Sequence, residues 1–361
     1  MTGSSDINMQ LPLVSIVITS YNRAHFIEKA IHSALAQDYS NLEVIISDNC
    51  STDNTDEIIK KCLPDPRIRY FTNETNIGMI ANFIKCTNEL AKGKYISFVS
   101  SDDYLGNDGF ISAAVKKIQE YPNVTVVTGI NVSEIVHSND FFTDESYPFY
   151  KDSFYKVPFV PGKEVFLRFP ACHSISYGGT LIDREKLVSL DTKKPVPISL
   201  DIQNILQLLL TGDAAFIDKV TYVARRHEGN YTSSVPQAQT CIDNLAYIDT
   251  SYELAMRNAL LDKTMLEKWK TAMYVNFCAS SLRNYYRQDK TQYNLFAKHV
   301  KEKYPQVYKT VTANLDWATH YLVYANKYIG KAYVNSRAFL GKIKRGLKGK
   351  DAQPANFTSD K

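Results

Sequence analysis

The first hundred residues alternate between short apolar runs and amphipathic stretches, and no other feature constrains the fold as strongly. Four runs rich in β-branched and aromatic residues have the length of buried strands: VSIVIT (14–19), LEVIIS (42–47), IRYF (68–71) and YISFV (95–99). Between these runs, apolar residues recur at helical spacing over 24–37, 55–62 and 80–91. Strands that alternate with helices over short connections form parallel sheets with right-handed crossovers. The pattern therefore predicts an α/β fold with a doubly wound, mostly parallel sheet flanked by helices.

Composition and missing motifs exclude several classes of protein. The net charge of +4 over 361 residues argues against a general nucleic-acid binder. The turn after the first strand lacks G-x-G-x-x-G, and G-x-x-x-x-G-K-[ST] occurs nowhere, which disfavours dinucleotide oxidoreductases and P-loop NTPases. Six scattered cysteines without a C-x-x-C pair argue against structural zinc and disulfides. With no signal-peptide pattern and no long apolar run, we expect a cytoplasmic protein without a spanning helix.

Carboxylates lie just after two of the predicted strands. Asp102 and Asp103 come after the fourth strand, and Asp48 comes after the second. Ligands of open α/β sheets bind beyond the carboxyl ends of the strands, and oxygen ligands suit Mg²⁺ or Mn²⁺. The alternative is that these aspartates satisfy backbone N–H groups in turns. On this pattern alone both interpretations stay open.

Four stretches, taken in order, resemble the nucleotide-binding half of inverting family 2 glycosyltransferases with the GT-A fold. They are VSIVITSYNR, VIISDNCSTDNT, NIGMIANFIKC and GKYISFVSSDDYL. The similarity is strong over 13–108 and weak over 178–230. It implies a nucleotide-sugar-binding half over 1–105 and an acceptor-binding half over 106–237, to which we add a helical C-terminal region over 238–326 and a basic amphipathic tail over 327–361.

The resemblance also implies roles for individual residues. The nucleotide-binding residues are then Thr19, Tyr21, Asn22, Arg23, Asp48, Asn76, Gly78, Asn82, Ser101 and Asp102. A Mn²⁺ or Mg²⁺ cofactor would be held by Asp102, Asp103 and His227. One departure is Ser100, which stands where the family's D-x-D motif has its first aspartate. A serine contributes no charge, so we expect weaker metal binding or an altered geometry.

The second half of the sequence offers candidates for the acceptor side. Asp201 opens an apolar helical pattern and is either a helix cap or, by the resemblance, the catalytic base. Gly178 and Gly179 precede a strand, where they allow a substrate to approach or form a bulge. Arg226 belongs to the run RRH, which contacts charged oxygens or forms a solvated turn. We predict that both glycines and Arg226 lie at the donor and acceptor sugars.

Two further segments stand apart from the regular pattern. Residues 131–161 are irregular and rich in aromatic side chains, which favours an ordered functional loop. Residues 327–350 carry eight Lys or Arg and no acidic residue, with apolar and basic residues on opposite sides of a helical projection. This pattern is typical of a helix that lies on an anionic membrane surface. Four glycines count against a helix, and a disordered basic tail is the alternative.

Together these features predict a metal-assisted inverting glycosyltransferase. We expect it to transfer a sugar from a nucleotide donor such as a UDP-sugar to a hydroxyl of a glycan or lipid-linked glycan. The resemblance points to bacterial surface polysaccharide assembly, peripheral attachment to the inner face of the cell membrane and no nucleic-acid partner. Two alternatives are a catalytically inactive glycan- or nucleotide-binding scaffold and a nucleotidyltransferase. The latter normally has a glycine-rich, basic phosphate loop, which this sequence lacks.

Overall fold

The computed structural model describes residues 11–136, 140–143, 154–171, 175–190, 198–227, 229–230, 237–259 and 261–313. Within these residues, nine strands form one sheet. The strands are β1 (Val14–Ser20), β2 (Leu42–Asp48), β3 (Ile68–Thr72), β4 (Tyr95–Ser100), β5 (Tyr104–Leu105), β6 (Val124–Ile135), β7 (Asp140–Thr143), β8 (Thr180–Asp183) and β9 (Asp213–Arg226). The predicted α/β fold is confirmed.

The strand order places the ends of the first four strands side by side. Along the sheet the order is β3-β2-β1-β4-β8-β6-β9-β5, and β7 pairs with β6. Strands β1 to β4 are all parallel, as the alternation predicted, whereas β8 joins β4 and β6 antiparallel. Thr19 lies opposite both Ser47 and Ser100 in register. The loops that follow β1, β2 and β4 therefore begin at one edge of the sheet.

The described residues form twelve α-helices. They are α1 (Ile27–Leu35), α2 (Thr55–Cys62), α3 (Met79–Lys85), α4 (Phe110–Glu120), α5 (Gly162–Arg168), α6 (Arg184–Ser189), α7 (Leu200–Thr211), α8 (Ala238–Asn244), α9 (Ala246–Arg257), α10 (Lys263–Gln288), α11 (Lys290–Lys303) and α12 (Pro305–Ala313). Helices α1, α2, α3 and α7 lie where the 3.6-residue pattern predicted helices. Helix α1 shows the rule, because Ile27, Ala30, Ile31 and Ala34 form its buried face. The third predicted helix is shorter than expected and continues as one π-helical turn, Cys86–Leu90.

Part of the segment predicted to be irregular is extended. Strand β6 continues to Ile135, where it pairs with the last residues of β9, and β7 adds a further antiparallel partner. Because this strand has ladder partners on both edges, its backbone groups are satisfied without a strong apolar alternation. The functional loop expected within 131–161 stays a prediction, and residues 137–139 and 144–153 of this segment lie outside the described residues.

The chain divides into two compact units, Met1–Asn276 and Phe277–Lys361. Helices begin at Ala238 as expected, but the domain boundary predicted there stays a prediction, since the first unit extends to Asn276. In the second unit, Tyr285 packs against Phe296, with ring centroids 5.7 Å apart. The basic tail over 327–361 lies outside the described residues. Over the described ranges, no helix combines the length and apolar character needed to cross a bilayer.

Candidate active site

Asp102 is the centre of a charged cluster beyond the carboxyl end of β4. Its Oδ2 atom lies 3.5 Å from Arg23 Nε, 3.4 Å from His227 Nε2 and 3.3 Å from Asn230 Nδ2. These partners come from the loop after β1 and from the residues after β9. The structure therefore brings together three predicted site residues, Arg23, Asp102 and His227, that are up to 204 positions apart in the chain.

His227 is held by ring stacking and by contacts with Asn230. The ring stacks on Phe26, with centroids 4.2 Å apart. Asn230 accepts a hydrogen bond from the His227 backbone N–H at 2.6 Å, and its amide nitrogen lies 3.1 Å from Nε2. The side chain is only 8% exposed. This packing directs Nε2 towards the Asp102 carboxylate.

Asp103 has a different environment from Asp102. The Tyr222 hydroxyl donates to its Oδ2 at 2.7 Å, and the Arg225 backbone N–H donates to its Oδ1 at 2.8 Å. Burial, together with the neighbouring charge of Asp102, raises the pKa of Asp103 well above its ordinary value, despite these two hydrogen bonds. Both oxygens are thus engaged by protein donors.

The residues present fit a divalent cation held by two protein ligands. Asp102 Oδ2 and His227 Nε2 converge at 3.4 Å, and a carboxylate oxygen with an imidazole nitrogen suits Mn²⁺ or Mg²⁺. In the described part of the chain, no group of three or more His, Cys, Asp or Glu side chains is arranged to hold a metal. Such ions commonly take one or two carboxylates and complete their shell with substrate phosphates and water. An ion held by Asp102 and His227 would leave positions for a diphosphate.

The loops after β1 and β2 are joined by hydrogen bonds. The Asn22 backbone, which has φ of 53°, donates to Ser51 Oγ at 2.8 Å, and its side-chain oxygen accepts from the Thr52 N–H at 2.8 Å. Ser51 in turn donates through its N–H to Asp48 at 3.1 Å. Asp48 is almost fully buried and so has the turn contacts that its alternative role predicted. Its contact with a nucleotide base stays a prediction.

Four asparagines connect the end of β2 to the start of α3. Asn82 accepts from Ser47 Oγ at 2.7 Å and from Asn73 Nδ2 at 2.9 Å, while Asn49 Nδ2 donates to Asn76 Oδ1 at 2.7 Å. Gly78 has φ of 85°, a conformation that favours glycine, and its N–H donates to Asn76 Oδ1. Asn76, Gly78 and Asn82 thus shape this loop, and their proximity to a nucleotide stays a prediction.

The other predicted nucleotide-binding residues lie at the same edge of the sheet. Ser101 is buried and its N–H donates to the Thr19 carbonyl at 3.3 Å. Tyr21, by contrast, is 43% exposed in the loop after β1. An exposed aromatic ring two positions before Arg23 offers a surface on which a planar group can stack.

Gly178 and Gly179 pack against Tyr222. A Cβ atom added to Gly178 would lie 2.5 Å from the Tyr222 ring, and one added to Gly179 would lie 2.6 Å from Tyr222 Cβ. Gly179 also has φ of 65°. Both positions need glycine because a larger residue would collide with Tyr222. The group that closely approaches the two glycines is therefore a protein side chain. Their role at a sugar stays a prediction.

Arg225, rather than Arg226, is the arginine of the RRH run that reaches the cluster. The buried Arg225 donates through Nε to the Asp102 carbonyl and through Nη2 to the Phe26 carbonyl at 2.8 Å. Arg226 is exposed and donates to Ser133 at 3.1 Å. Neighbouring residues of a strand point to opposite faces, which separates the two side chains. The alternation was readable in the sequence, but it did not say which face carries the site.

Asp201 lies in the first turn of α7, near a stacked aromatic cluster. Burial raises the pKa of its carboxyl group to about 6, although the Ile202 N–H donates to it. Its charge acts on Tyr177, whose ring stacks on Phe83 and on Phe98 of β4, with centroids 4.7 and 4.8 Å apart. Asp201 is thus linked through Tyr177 to the strand that leads to Asp102. A carboxyl group with this pKa can accept a proton near neutral pH.

Sequence reasoning missed three residues of the cluster: Phe26, Tyr222 and Asn230. Phe26 and Tyr222 read as ordinary core residues, since nothing in a sequence pattern reports which ring a histidine stacks on. Asn230 lies three positions after His227, and this spacing was the one local signal for their contact.

Comparisons with known proteins agree with this geometry. Residues 15–186 match the model of glycosyl transferase family 2. Over 94 residues the chain is 45% identical to the Escherichia coli UDP-Glc:alpha-D-GlcNAc-diphosphoundecaprenol beta-1,3-glucosyltransferase WfaP. That alignment covers 26% of this chain and 37% of the relative, so the chain spans well under half of its length.

Solved structures share the fold over most of the chain. S. aureus TarS 1-349, solved in complex with UDP-GlcNAc, has a TM-score of 0.64 at 18% identity, covering 88% of this chain and 91% of that one. The mannosyltransferase PcManGT from Pyrobaculum calidifontis, in complex with GDP-Man and Mn²⁺, has a TM-score of 0.51 at 17% identity, covering 88% and 87%. The chain thus carries a glycosyl transferase family 2 domain over residues 15–186 and shares its GT-A fold with solved glycosyltransferases.

Proposed function

We propose that the chain transfers a sugar from a nucleotide-diphosphate donor, in particular a UDP-sugar, to a hydroxyl group of a lipid-linked glycan. The observation that carries this proposal is the convergence of Asp102, His227 and Arg23 beyond the carboxyl end of β4. One carboxylate, one imidazole and one guanidinium are a set of groups that suits a metal-bound diphosphate. The donor would extend from there along the loops after β1 and β2, towards Tyr21 and Asp48.

The chain's own residues supply the groups that the reaction requires. A bond forms between the acceptor oxygen and the anomeric carbon, while the bond from that carbon to the diphosphate oxygen breaks. Asp201 would take the proton of the attacking hydroxyl, and Arg23 would donate hydrogen bonds to the diphosphate that leaves. A Mn²⁺ or Mg²⁺ ion, when bound at Asp102 and His227, supplies further positive charge for the leaving diphosphate.

Nucleotide titration tests the donor class. We expect calorimetry to detect tight binding of UDP in the presence of Mn²⁺, and weaker binding of GDP, dTDP and CMP. Removing Mn²⁺ should weaken UDP binding by about tenfold or more, because the diphosphate then loses a cation that it shares with the protein. Equal binding of all four nucleotides, or binding that ignores Mn²⁺, would contradict this donor and its cofactor.

We infer the acceptor and the cellular location from a relative and from the charge distribution. The name of WfaP specifies a diphosphoundecaprenol acceptor, and such a carrier resides in a membrane. Residues 277–361 of this chain carry 16 Lys or Arg against five Asp or Glu, whereas residues 1–276 carry 26 against 33. A basic region of this kind is attracted to anionic lipid headgroups. We infer that it holds the protein at the inner face of the cell membrane.

Vesicle sedimentation tests this location. We expect binding to phosphatidylcholine vesicles that contain phosphatidylglycerol, none to pure phosphatidylcholine, and release at high salt, because exposed charges are screened there. Replacing Lys342, Lys344, Arg345 and Lys348 with glutamine should weaken binding by about 100-fold or more, since each basic residue contributes about 1 kcal/mol.

The matched control removes as many charges from the first unit. It replaces Lys60, Lys61, Lys116 and Lys163, which are all exposed, with glutamine. If both variants bind vesicles equally, the basic tail is not the membrane contact.

A further inference from the structure

Tyr222 is fixed in one orientation by contacts at both ends of its side chain. Its ring is 6% exposed and lies against Gly178 and Gly179, where any Cβ atom would collide with it. Its hydroxyl donates to Asp103 at 2.7 Å and accepts from the Ser100 N–H at 3.3 Å. The phenol thus connects β9 to both ends of the loop that carries Asp102.

Asp103 and Arg225 continue this connection towards His227. Asp103 accepts from Tyr222 and from the Arg225 backbone, so the carboxylate joins the acidic loop to the last residues of β9. The Arg225 guanidinium bonds to the Asp102 and Phe26 carbonyls and lies 4.9 Å from the Phe26 ring. Phe26 is the ring on which His227 stacks.

These contacts connect the surroundings of Asp102 with those of His227, the two candidate metal ligands. Asp102 is fixed through its own carbonyl and through its neighbour Asp103, and His227 is fixed through Phe26, which Arg225 contacts in turn. Groups that orient metal ligands without touching the metal commonly change metal affinity by about 10- to 100-fold when they are removed. Asp103 has the contacts of such a group, because both of its oxygens already accept hydrogen bonds from protein donors.

We propose that Tyr222, Asp103 and Arg225 are positioning residues that set the spacing between Asp102 and His227, and that Asp103 does not ligate the metal. This inference rests on the proposed metal-assisted function. It assigns a role to Tyr222, 119 residues away from Asp103, and explains why two glycines precede β8.

A double-mutant cycle read out by Mn²⁺ binding tests the inference. Binding would be measured by calorimetry or by the electron paramagnetic resonance of free Mn²⁺, with UDP present at saturation. Tyr222→Phe and Asp103→Asn should each weaken Mn²⁺ binding by about 10- to 100-fold. Because Tyr222→Phe removes the donor of this hydrogen bond and Asp103→Asn removes its charged acceptor, the double variant should be little worse than either single variant. Asp102→Asn should abolish binding.

The matched control is Tyr39→Phe. Tyr39 is 4% exposed and donates its hydroxyl hydrogen to the Pro12 carbonyl at 2.6 Å, ahead of β1 and away from the loops at the other end of that strand. Its loss should lower thermal stability to a similar degree and leave Mn²⁺ affinity unchanged. A purely structural role for Tyr222 would give the same result as this control and would overturn the inference.

Two other outcomes would also overturn it. If Asp103→Asn abolishes Mn²⁺ binding while Tyr222→Phe binds as wild type does, Asp103 is itself a ligand. If the wild-type protein binds no Mn²⁺ in the presence of UDP, the positioning role fails as well. Sugar release from a UDP-sugar, measured on the same preparations, reports separately whether the glycosyl transfer activity stands.

Discussion

Replacing Asp102 with asparagine is expected to lower kcat/KM for glycosyl transfer by about 1000-fold. Arg23, His227 and Asn230 converge on the Asp102 carboxylate. An asparagine side chain has the same shape as this carboxylate but carries no charge. Metal-based stabilisation of a leaving group contributes several kcal/mol, and each 1.4 kcal/mol corresponds to about tenfold in rate. The rate would be measured as UDP release with a saturating acceptor over a series of Mn²⁺ concentrations.

An exposed aspartate on the same sheet provides the control for this variant. Asp218 lies on β9 and is exposed, so Asp218→Asn should keep the wild-type rate. Circular dichroism of Asp102→Asn should match that of the wild type, which separates lost chemistry from lost folding. Wild-type turnover in Asp102→Asn, or activity that persists in a metal chelator, would contradict the metal-assisted mechanism.

Local patterns predicted the sheet because its first half is built from local units. Each of β1 to β4 is a run of β-branched or aromatic residues, and each crossover helix has an apolar stripe, so periodicity alone places them. Strand β6 beyond Gly129 was missed, since its partner β9 lies more than 80 residues further along the chain. The stability of such a strand depends on that pairing, which a local pattern does not contain.

For the candidate site, too, local patterns predicted some residues but not their partners. Asp102, Asp48 and Asp201 were predicted as candidates because each stands near the end of a strand or the start of a helix, where a carboxylate is a local signal. The partners of these residues depend on contacts across the chain. The hydrogen bond from Tyr222 to Asp103, for example, spans 119 residues. Whether an aspartate faces a ligand or a buried tyrosine is decided by tertiary structure, so sequence alone left that question open.

Replacing Asp201 with asparagine is expected to lower kcat by about 100- to 10,000-fold and to leave UDP binding unchanged, because a general base contributes that much to a proton transfer. Asparagine cannot accept the proton of the attacking hydroxyl. In the wild type, kcat should fall about tenfold per pH unit below pH 6, since burial raises the pKa of this carboxyl group to about 6 and only the ionised form acts as a base. The variant should lose this pH dependence. An inactive binding relative, in contrast, would bind UDP and be indifferent to the substitution.

The Asp201→Asn variant should be more stable than the wild type at neutral pH, although it is less active. The pKa of Asp201 is raised in the folded protein above its ordinary value of 3.8, so burial of the carboxyl group costs stability progressively as the pH rises from about 4 to about 6, and the full cost is present above pH 6. Asp201→Asn removes that cost, and we expect it to be more stable than the wild type by about 1–3 kcal/mol at pH 7.5. Below about pH 4 the carboxyl group is protonated in both the folded and unfolded states, so the difference should vanish.

Glu185→Gln, a change to an exposed acid in the first turn of α6, is the control and should alter neither the activity nor the stability. Denaturant unfolding at the two pH values measures the difference, and a less stable Asp201→Asn at pH 7.5 would show that the carboxylate is a structural cap. A variant that is slower yet more stable would identify Asp201 as a group held in its buried position at a cost to folding, as a catalytic base is.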